Sequence, residues 1–327
     1  MYVRRPIESS ATRSMVQVQC QGLNGAGPSW VPLKQDWSQR WCTLSGLYTA
    51  DYAERVGGFR TRDSDVFLVS FMKCGTTWLQ ELSWLLLNQL DFEQSSKSYI
   101  MQRSPYLEYS SNSPLIKMDS IKLCDDLQST PRLIKSHLPA QLLPRETWEK
   151  RRKIVYVARN PKDVVVSSYH FLTGTGYWRG NMDEYVDQFV ADRIFLTSFW
   201  SHVMDFYRMR GEENIFFVTY EEMKEDLENV IRRLSAFLES PDLSQTEMKN
   251  LLEYLSFENM KASTYGNPTA RIKSTLQVSD DFEFMRRGIV GSYKDELNFD
   301  QKRKIDNWTR CCLEEYGLTE FDIFANV

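Results

Sequence analysis

The sequence contains few histidines, no long apolar run and no cysteines spaced as metal ligands. Three of its 327 residues are histidine, so few side chains can exchange protons near neutral pH. The six cysteines, Cys20, Cys42, Cys74, Cys124, Cys311 and Cys312, do not have the paired spacing of metal ligands, and the adjacent Cys311 and Cys312 lie in a helical pattern in which they would not pair with each other. This pattern favours free thiols in a reducing compartment over a disulfide framework or a zinc site.

The chain also lacks a strong net charge and a candidate membrane segment. Its formal net charge is −4 at pH 7, which provides no overall field to attract nucleic acid or an anionic membrane. No apolar run approaches the roughly 20 residues that span a bilayer. We therefore expect a cytoplasmic protein that binds neither nucleic acid nor membrane, and in which an anionic ligand is held by a local group of cations.

A standard phosphate loop, GxxxxGK[ST], is missing, but residues 65–78 (DVFLVSFMKCGTTW) contain a related order of elements. A β-forming apolar run ends at Phe71, a turn carries Lys73 and Gly75, and residues 78–90 have apolar side chains near helical spacing. In such a turn, backbone N–H groups, the positive end of the helix dipole and a lysine can hold a phosphate. Because the lysine precedes the glycine here, the turn indicates a narrower class than a generic nucleotide binder.

Further segments also have the pattern of a strand followed by a turn or a helix. Residues 132–139 (RLIKSHLP) end with Lys135 and His137, and residues 153–171 and 214–226 each place an apolar run before a helical pattern. This alternation predicts an α/β fold, in which a single domain has a central parallel sheet flanked by helices. Ligands of such folds bind at the carboxyl ends of the strands, where these motifs lie.

Together with FMRRG at residues 284–288, these motifs closely resemble, in the same order, those of the soluble, cytosolic-type sulfotransferases. Members of that family move a sulfuryl group from 3′-phosphoadenosine 5′-phosphosulfate (PAPS) to an acceptor and release the desulfated nucleotide, PAP. The resemblance covers roughly residues 65–316. It implies a sulfotransferase domain over residues 29–327 with a P-loop-like phosphosulfate-binding loop. We expect the polar residues 1–28, which match nothing in the family, to form a flexible arm.

The resemblance also implies which residues carry the reaction. Sulfuryl transfer needs positive charge at the leaving phosphate, a base for the acceptor proton and donors for the sulfuryl oxygens, and it requires no metal. Lys73 is the candidate for the leaving group, and His137 is the candidate general base. Lys135 lies two residues earlier on the same strand face and is expected to contact the transferring group. His202 fits a packed or surface position in a helix, whereas His170 is expected near the acceptor.

The nucleotide site implied by the resemblance is assembled from several motifs. Arg159 and Ser167 are expected to grip the 3′-phosphate, because a guanidinium and a hydroxyl are suitable donors. The paired arginines of FMRRG would complete that site, with ordinary surface charge as the alternative. Trp78 is expected to stack on adenine, with a core position as the alternative. The predicted nucleotide-binding residues are Lys73, Cys74, Gly75, Thr76, Thr77, Trp78, Arg159, Ser167, Tyr220, Leu255, Ser256, Phe257, Phe284, Met285, Arg286, Arg287 and Gly288.

Several positions depart from the family pattern. Cys74 replaces a serine, and its thiol is the weaker hydrogen-bond donor. Met72 replaces a proline, which predicts a less rigid turn, and Leu255 replaces a threonine, which predicts one lost adenine contact. Of the family's dimer segment, Lys-x-x-x-Thr-Val-x-x-x-Glu near residues 294–303, only Lys294 is retained. We therefore expect a monomer, or a dimer through another surface.

The acceptor pocket is expected around the RSPYLEYS run at residues 103–110, which resembles a pocket-lining segment of the family. Its predicted residues are Phe71, Met72, Tyr106, Tyr109, His170 and Phe171, with Tyr177 nearby. Such a pocket suits a small aromatic or lipophilic molecule with a hydroxyl or an amine, such as a phenol, sterol, retinoid or aromatic amine. The polar segment at residues 262–283 is expected to be a loop that closes over the cofactor, or alternatively a surface insertion.

The leading functional hypothesis is a PAPS-dependent sulfotransferase that acts on small acceptors. A sulfation-initiated dehydratase of an allylic alcohol would use the same residues, so only its product would differ. A phosphotransferase is disfavoured because the standard phosphate loop is missing. A non-catalytic binder of small molecules is disfavoured by the presence of Lys73, Lys135 and His137.

Overall fold

Seven strands and a surrounding set of helices form the part of the chain that the computed structural model describes, residues 2–7, 15–20, 37, 40–276 and 278–324. The strands are β1 Tyr2–Ile7, β2 Met15–Cys20, β3 Cys42–Ser45, β4 Val66–Val69, β5 Leu133–Ser136, β6 Lys153–Ala158 and β7 Ile215–Thr219. The helices are α1 Ala50–Gly57, α2 Thr76–Leu87, α3 Phe92–Ser95, α4 Ile100–Arg103, α5 Ser120–Asp126, α6 Arg145–Glu149, α7 Pro161–Gly174, α8 Met182–Val190, α9 Phe199–Arg208, α10 Tyr220–Glu225, α11 Leu227–Leu238, α12 Gln245–Tyr254, α13 Phe257–Ala262, α14 Thr269–Leu276, α15 Tyr293–Glu296, α16 Phe299–Glu314 and α17 Glu320–Phe324. Short 3₁₀ turns span Tyr109–Ser111 and Ala140–Leu142.

A parallel sheet of four strands, in the order β5-β4-β6-β7, lies at the centre of the fold. All four residues of β4 are buried, as expected for an apolar strand that is covered on both faces of a parallel sheet. The register places Val69, the last residue of β4, beside Ser136 and Tyr156. The carboxyl ends of β4 and β5 therefore meet at one edge of the sheet, and the predicted α/β fold with a central parallel sheet is confirmed.

The predicted strand–helix units are also confirmed. Helix α2 follows β4 after a short turn, and α10 begins at the residue after β7. Asn160 caps α7 by accepting a hydrogen bond from the Lys162 amide at 3.0 Å, and Pro161 occupies the first helical position, where no amide is needed. In the part of the chain that the structure describes, no helix is both long and apolar enough to cross a bilayer.

A small antiparallel sheet, in the order β1-β2-β3, differs from the flexible arm predicted for residues 1–28. Strand β2 pairs with both β1 and β3, and its Met15 and Val18 side chains are buried. Strand β3 is itself tied to the core, because the Thr43 amide donates to the carbonyl of Thr197 at 2.8 Å. Burial and pairing with a distant strand thus order residues whose composition is polar overall. The rest of the predicted arm lies outside the described residues.

The polar segment at residues 262–283 also differs from its prediction as a loop, because it contains helix α14. The Asn267 side chain accepts a hydrogen bond from the Thr269 amide at 3.1 Å, and Pro268 precedes the helix. Asn, Pro and Thr at these positions are a helix start signal that the polar composition obscured.

Candidate active site

The turn between β4 and α2 has the backbone of an anion-binding loop. Lys73 and Gly75 both have positive φ angles, 64° and 94°. A Cβ atom on Gly75 would lie 2.6 Å from a ring carbon of Tyr220, so only glycine fits beneath that ring. Gly75 is also the N-cap of α2 and provides no side-chain cap, which leaves the first amides of the helix to bind an anion.

The Lys73 ammonium lies between two aromatic rings. It is 3.7 Å from the ring centre of Phe284 and 4.9 Å from that of Phe171, and it donates to the Phe284 carbonyl at 3.2 Å. Burial, together with the charges of Arg159, Lys135 and other cations, lowers the pKa of Lys73 to about 7. An anion bound among these cations would raise that pKa and restore a full positive charge.

The candidate base, His137, follows β5 and faces the cavity. Its Nδ1 atom is 2.8 Å from the backbone carbonyl of Ser70. A carbonyl can only accept, so in the neutral ring Nδ1 carries the proton and Nε2 is unprotonated. Burial and the charge of Lys135 hold the pKa of His137 well below its usual range. The imidazole is therefore neutral at physiological pH and able to accept a proton.

Two buried side chains hold the backbone of His137 from either side. The carboxylate of Glu108 accepts from the His137 amide at 2.6 Å and from the Ser136 hydroxyl at 2.9 Å. His202 Nε2 lies 3.2 Å from the His137 carbonyl, and its Nδ1 lies 2.8 Å from the Tyr156 hydroxyl. Burial raises the pKa of Glu108 to about 7 and lowers that of His202 to about 4. His202 is thus packed, which is one of the two positions predicted for it, and Glu108 is a site residue that the sequence reasoning missed.

Lys135 is joined to the tyrosine-rich segment by backbone pairing. Its amide donates to the Pro105 carbonyl at 2.9 Å, and its carbonyl accepts from the Leu107 amide at 2.8 Å. This extra bridge places the Tyr106 ring 5.2 Å from the His137 ring and 5.1 Å from the Lys135 ammonium. Burial lowers the pKa of Lys135 to about 8. The predicted pair of lysine and histidine on one strand face is thus completed by an aromatic wall.

A chain of hydroxyl contacts links the base to the anion-binding turn. The Ser70 hydroxyl is 2.6 Å from the Thr76 hydroxyl and 3.3 Å from His137 Nδ1. Ser70 was not predicted, although it lies within the quoted motif, because nothing in its spacing indicates a partner 67 residues away. The Ser70 hydroxyl therefore connects Thr76, the first residue of α2, to the ring of the candidate base.

Arg159 lies where a phosphate group can be bound. Its guanidinium donates to the carbonyls of Lys73 at 3.3 Å and Ile289 at 3.0 Å, and it lies 4.4 Å from the ring centre of Tyr220. Its Nε atom is buried and has no hydrogen-bond partner among the described residues. A buried donor without a partner is costly unless a ligand satisfies it.

The paired arginines of FMRRG are held by carboxylates in this structure. Arg286 donates to Glu296 at 2.6 Å, and Arg287 contacts the same carboxylate at 3.2 Å and Asp295 at 2.8 Å. His170 Nε2 is also 2.6 Å from Glu296. His170 therefore joins this ion-pair cluster instead of the acceptor pocket predicted for it.

The adenine side predicted from the sequence is aromatic. The rings of Trp78 and Tyr220 meet edge to face, with centroids 5.8 Å apart. Gly288 has a positive φ of 66°, and a Cβ there would lie 2.2 Å from a ring carbon of Phe257. Ser256 caps α13 by accepting from the Asn259 amide at 3.3 Å. Aromatic rings thus lie beside the anion-binding turn.

One cavity of about 440 Å³ connects these groups. Three predicted residues do not line it. Phe71 is fully buried and packs against the rings of Phe199 at 5.2 Å and Phe189 at 6.0 Å, because it continues the core face beyond β4. The Cys74 residue is fully buried, and its thiol points to the Met72 carbonyl at 3.8 Å. His170 is the third, as described above.

The other predicted residues do line the cavity. They are Met72, Lys73, Gly75, Thr76, Thr77, Trp78, Tyr106, Tyr109, Lys135, His137, Arg159, Ser167, Phe171, Tyr220, Leu255, Ser256, Phe257, Phe284, Met285, Arg286, Arg287 and Gly288. Lining residues that were not predicted include Met101, Asn112, Ile116, Phe195, Leu196, Arg271, Ile272 and Leu276. These come from segments that carry no motif. Within the described ranges, no group of three or more His, Cys, Asp or Glu side chains could hold a metal ion.

Comparison with known proteins matches residues 63–320 to the model of the sulfotransferase domain family. Luciferin sulfotransferase of Photinus pyralis is 36% identical over 286 residues, which cover 82% of this chain and 76% of that protein. Sulfotransferase 1B1 of Canis lupus familiaris is 33% identical over 263 residues, which cover 80% of this chain and 87% of that protein.

Solved structures show the same fold. Retinol dehydratase in complex with androsterone and the inactive cofactor PAP aligns with a TM-score of 0.79 and 24% identity, covering 98% of this chain and 97% of that one. Mouse sulfotransferase SULT7A1 in complex with PAP aligns with a TM-score of 0.65 and 25% identity, covering 83% of this chain and 92% of that one.

Proposed function

Because the chain belongs to the sulfotransferase family, we propose that it transfers the sulfuryl group of PAPS to a hydroxyl of a small aromatic or lipophilic acceptor, with His137 as the general base. PAPS supplies an activated sulfuryl group whose transfer leaves negative charge on a phosphate oxygen. The observation that carries the proposal is the placement of His137, whose Nδ1 lies 2.8 Å from the Ser70 carbonyl, in one cavity with Lys135 and Lys73.

His137 would take the acceptor proton at Nε2. The Ser70 carbonyl accepts from Nδ1–H and would stabilise the imidazolium as it forms. Glu108 and His202 hold the amide and the carbonyl of the same residue, so the ring cannot drift from the acceptor. The low pKa of His137 comes from burial and from neighbouring cations, and a bound anion would raise it toward neutrality.

Lys73 and Lys135 would provide positive charge where negative charge develops. Both line the cavity, and both have pKa values that burial lowers, to about 7 and about 8. A cation in a partly dehydrated site stabilises developing charge more than a solvated one. Their placement next to His137 supports a site in which the acceptor hydroxyl and the transferring group meet.

The nucleotide would be held by the other side of the cavity. Arg159, with its unsatisfied Nε, and Ser167 are suited to a phosphate, and the amides at the start of α2 are suited to a second anionic group. Trp78 and Tyr220 provide the aromatic surface for a base. The residues present therefore fit PAPS. Arg286 and Arg287 would join the phosphate site by exchanging Glu296 for the ligand.

The test is a screen of phenols, sterols, retinoids, catecholamines and other amines with ³⁵S-labelled PAPS. Sulfated product and released PAP are both measured, and mass analysis separates a sulfate ester from an alkene formed by sulfation and elimination. We expect acceptor-dependent PAP release that His137→Ala abolishes. Absence of PAP release with every acceptor, together with failure to bind PAP in calorimetry, would refute the proposal.

A further inference from the structure

The cavity carries charge of one sign. Among the residues that the structure describes, lysines and arginines line it on several sides, and no Asp or Glu does. The arginines of FMRRG form ion pairs with Glu296 and Asp295. The guanidinium of Arg159 lies 3.6 Å from the carboxylate of Asp163. A protonated amine in this cavity would therefore find no carboxylate partner, and burying it among cations is unfavourable.

Two cations line this cavity without a role assigned at the nucleotide or the sulfuryl group: Lys224, which lies 5.7 Å from the ring centre of Trp78 on the nucleotide side, and Arg271. Arg271 lies on α14 and lines the cavity together with Pro268 and Ile272. The guanidinium is 3.8 Å from the Met118 sulfur and 5.9 Å from the Tyr99 ring centre. No carboxylate among the described residues lies within ion-pair distance of it. Its charge is thus left for a ligand or for solvent.

An aromatic wall leads from the base to Arg271. The rings of His137 and Tyr106 are 5.2 Å apart, and those of Tyr106 and Tyr109 are 5.6 Å apart. Burial raises the pKa of Tyr109, and the charge of Arg271 opposes that rise, so the guanidinium acts on this phenol. His137, Tyr106, Tyr109 and Arg271 all line the same cavity, so one ligand there would meet a proton acceptor, an aromatic surface and a cation.

We propose that Arg271 binds a carboxylate at the end of the acceptor opposite to the hydroxyl that is sulfated. This inference rests on the proposed function, because it names the acceptor class of the same site: elongated aromatic hydroxy acids rather than neutral phenols or protonated amines. A guanidinium matches a carboxylate with two parallel hydrogen bonds, which fixes orientation as well as affinity. The apolar neighbours Ile116, Phe195 and Leu196 would cover the acceptor body between its two polar ends.

The test compares three series of acceptors with the full-length protein and saturating PAPS. The series are ω-(4-hydroxyphenyl)alkanoates, their methyl esters and the corresponding ω-(4-hydroxyphenyl)alkylamines. At each chain length the three differ mainly in the charge at the distal end. At the length that reaches Arg271, we expect kcat/KM for the acid to exceed that for the ester and the amine by about tenfold or more. An ester that equals the acid at every length would overturn the inference.

Matched variants assign the effect to one side chain. Arg271→Met keeps an apolar stem without the charge and should lower the acid-to-ester ratio by about tenfold or more, whereas Arg271→Lys should keep part of it. Lys273→Met is the control, because Lys273 lies on the same helix, donates to the Asp280 carbonyl and does not line the cavity. An unchanged ratio in Arg271→Met, or an equal fall in Lys273→Met, would contradict the assignment.

A binding measurement separates this inference from the proposed function. Calorimetry with the acid and with its ester, in the presence of PAP, measures the binding of the carboxylate without turnover. Arg271→Met should abolish the difference between the affinities for the acid and for the ester. If 2-naphthol is sulfated but neither assay shows a preference for the acid, the inference about Arg271 fails alone. If no acceptor is sulfated, the proposed function fails, and the calorimetry still decides whether Arg271 binds a carboxylate.

Discussion

Glu108 should couple the position of the base to the pH dependence of stability. Its carboxylate is 1% exposed and accepts hydrogen bonds from the His137 amide and the Ser136 hydroxyl. Burial raises its pKa from 4.5 to about 7. The folded state therefore keeps a proton on Glu108 at pH values where the unfolded chain has released it.

The sign and the size of the effect follow from that shift. The stabilisation from protonated Glu108 is complete below about pH 4.5 and is lost as the pH rises toward 7. A shift of this size corresponds to about 3 kcal/mol. Glu108→Gln cannot titrate, so between pH 4.5 and 8 its free energy of unfolding should fall by about 3 kcal/mol less than that of the wild type.

Urea denaturation at several pH values measures this difference, and Glu221→Gln is the matched control. Burial also raises the pKa of Glu221 to about 7, but its carboxylate accepts from the Asn160 amide at 2.9 Å and not from the segment of the base. Both variants should flatten the pH dependence. Only Glu108→Gln should lower kcat above the pKa of about 7, where Glu108 is ionised, by about tenfold, because its amide cannot accept from both donors as a carboxylate does. Parallel stability curves for Glu108→Gln and wild type would refute the reasoning, and an equal loss of kcat in the two variants would refute the positioning role.

Four further outcomes test the site and the assembly. His137→Ala should lower kcat by about 10²–10⁴-fold with PAP affinity nearly unchanged, and retention of more than roughly a tenth of the activity contradicts its role as base. Lys73→Ala should lower kcat, because negative charge on the leaving oxygen develops in the transition state. Arg159→Ala should instead raise KM for PAPS by about 10- to 100-fold, because it removes a charged hydrogen bond to the cofactor. If both variants changed KM alone, the role assigned to Lys73 would be wrong. Cys74→Ser should be tolerated, because a hydroxyl can also donate to the Met72 carbonyl that the buried thiol faces and is the better donor; a large fall in kcat or in Tm opposes this. Phe299, in the segment that corresponds to the family's dimer contact, is 73% exposed. We expect sedimentation equilibrium to show a monomer, or a dimer that forms through another surface. A tight dimer that Phe299→Glu dissociates would show that this segment does form the contact.

The parts of the site that could be predicted are those in which one short segment fixes the geometry. The strand, the turn and the helix around Lys73 and Gly75 are adjacent in the chain, and a positive φ at the glycine follows from the turn itself. Lys135 and His137 share a strand face because side chains alternate with period two. Such patterns depend on the local backbone alone, and the structure reproduces them.

The errors share a different cause. Residues 2–7 and 15–20 are strands because β2 pairs with both β1 and β3, and because the Met15 and Val18 side chains of β2 are buried. His170 lies on the predicted helix α7, but its partner Glu296 is 126 residues away and draws it out of the acceptor pocket. Neither contact leaves a periodic signal in the sequence.

The sequence by itself therefore determined the strand–helix units of the central sheet, the phosphate-binding turn and the identity of the candidate base, because each depends on neighbouring residues. Only the tertiary structure decided that Ser70 and Glu108 hold that base, at separations of 67 and 29 residues, and that Arg271 stands without a carboxylate in the same cavity. The physical reason is that hydrogen bonds and charge pairing act through space. Which side chains meet is set by the packing of helices on the sheet, and the packing of distant segments is not encoded in the spacing of any one of them.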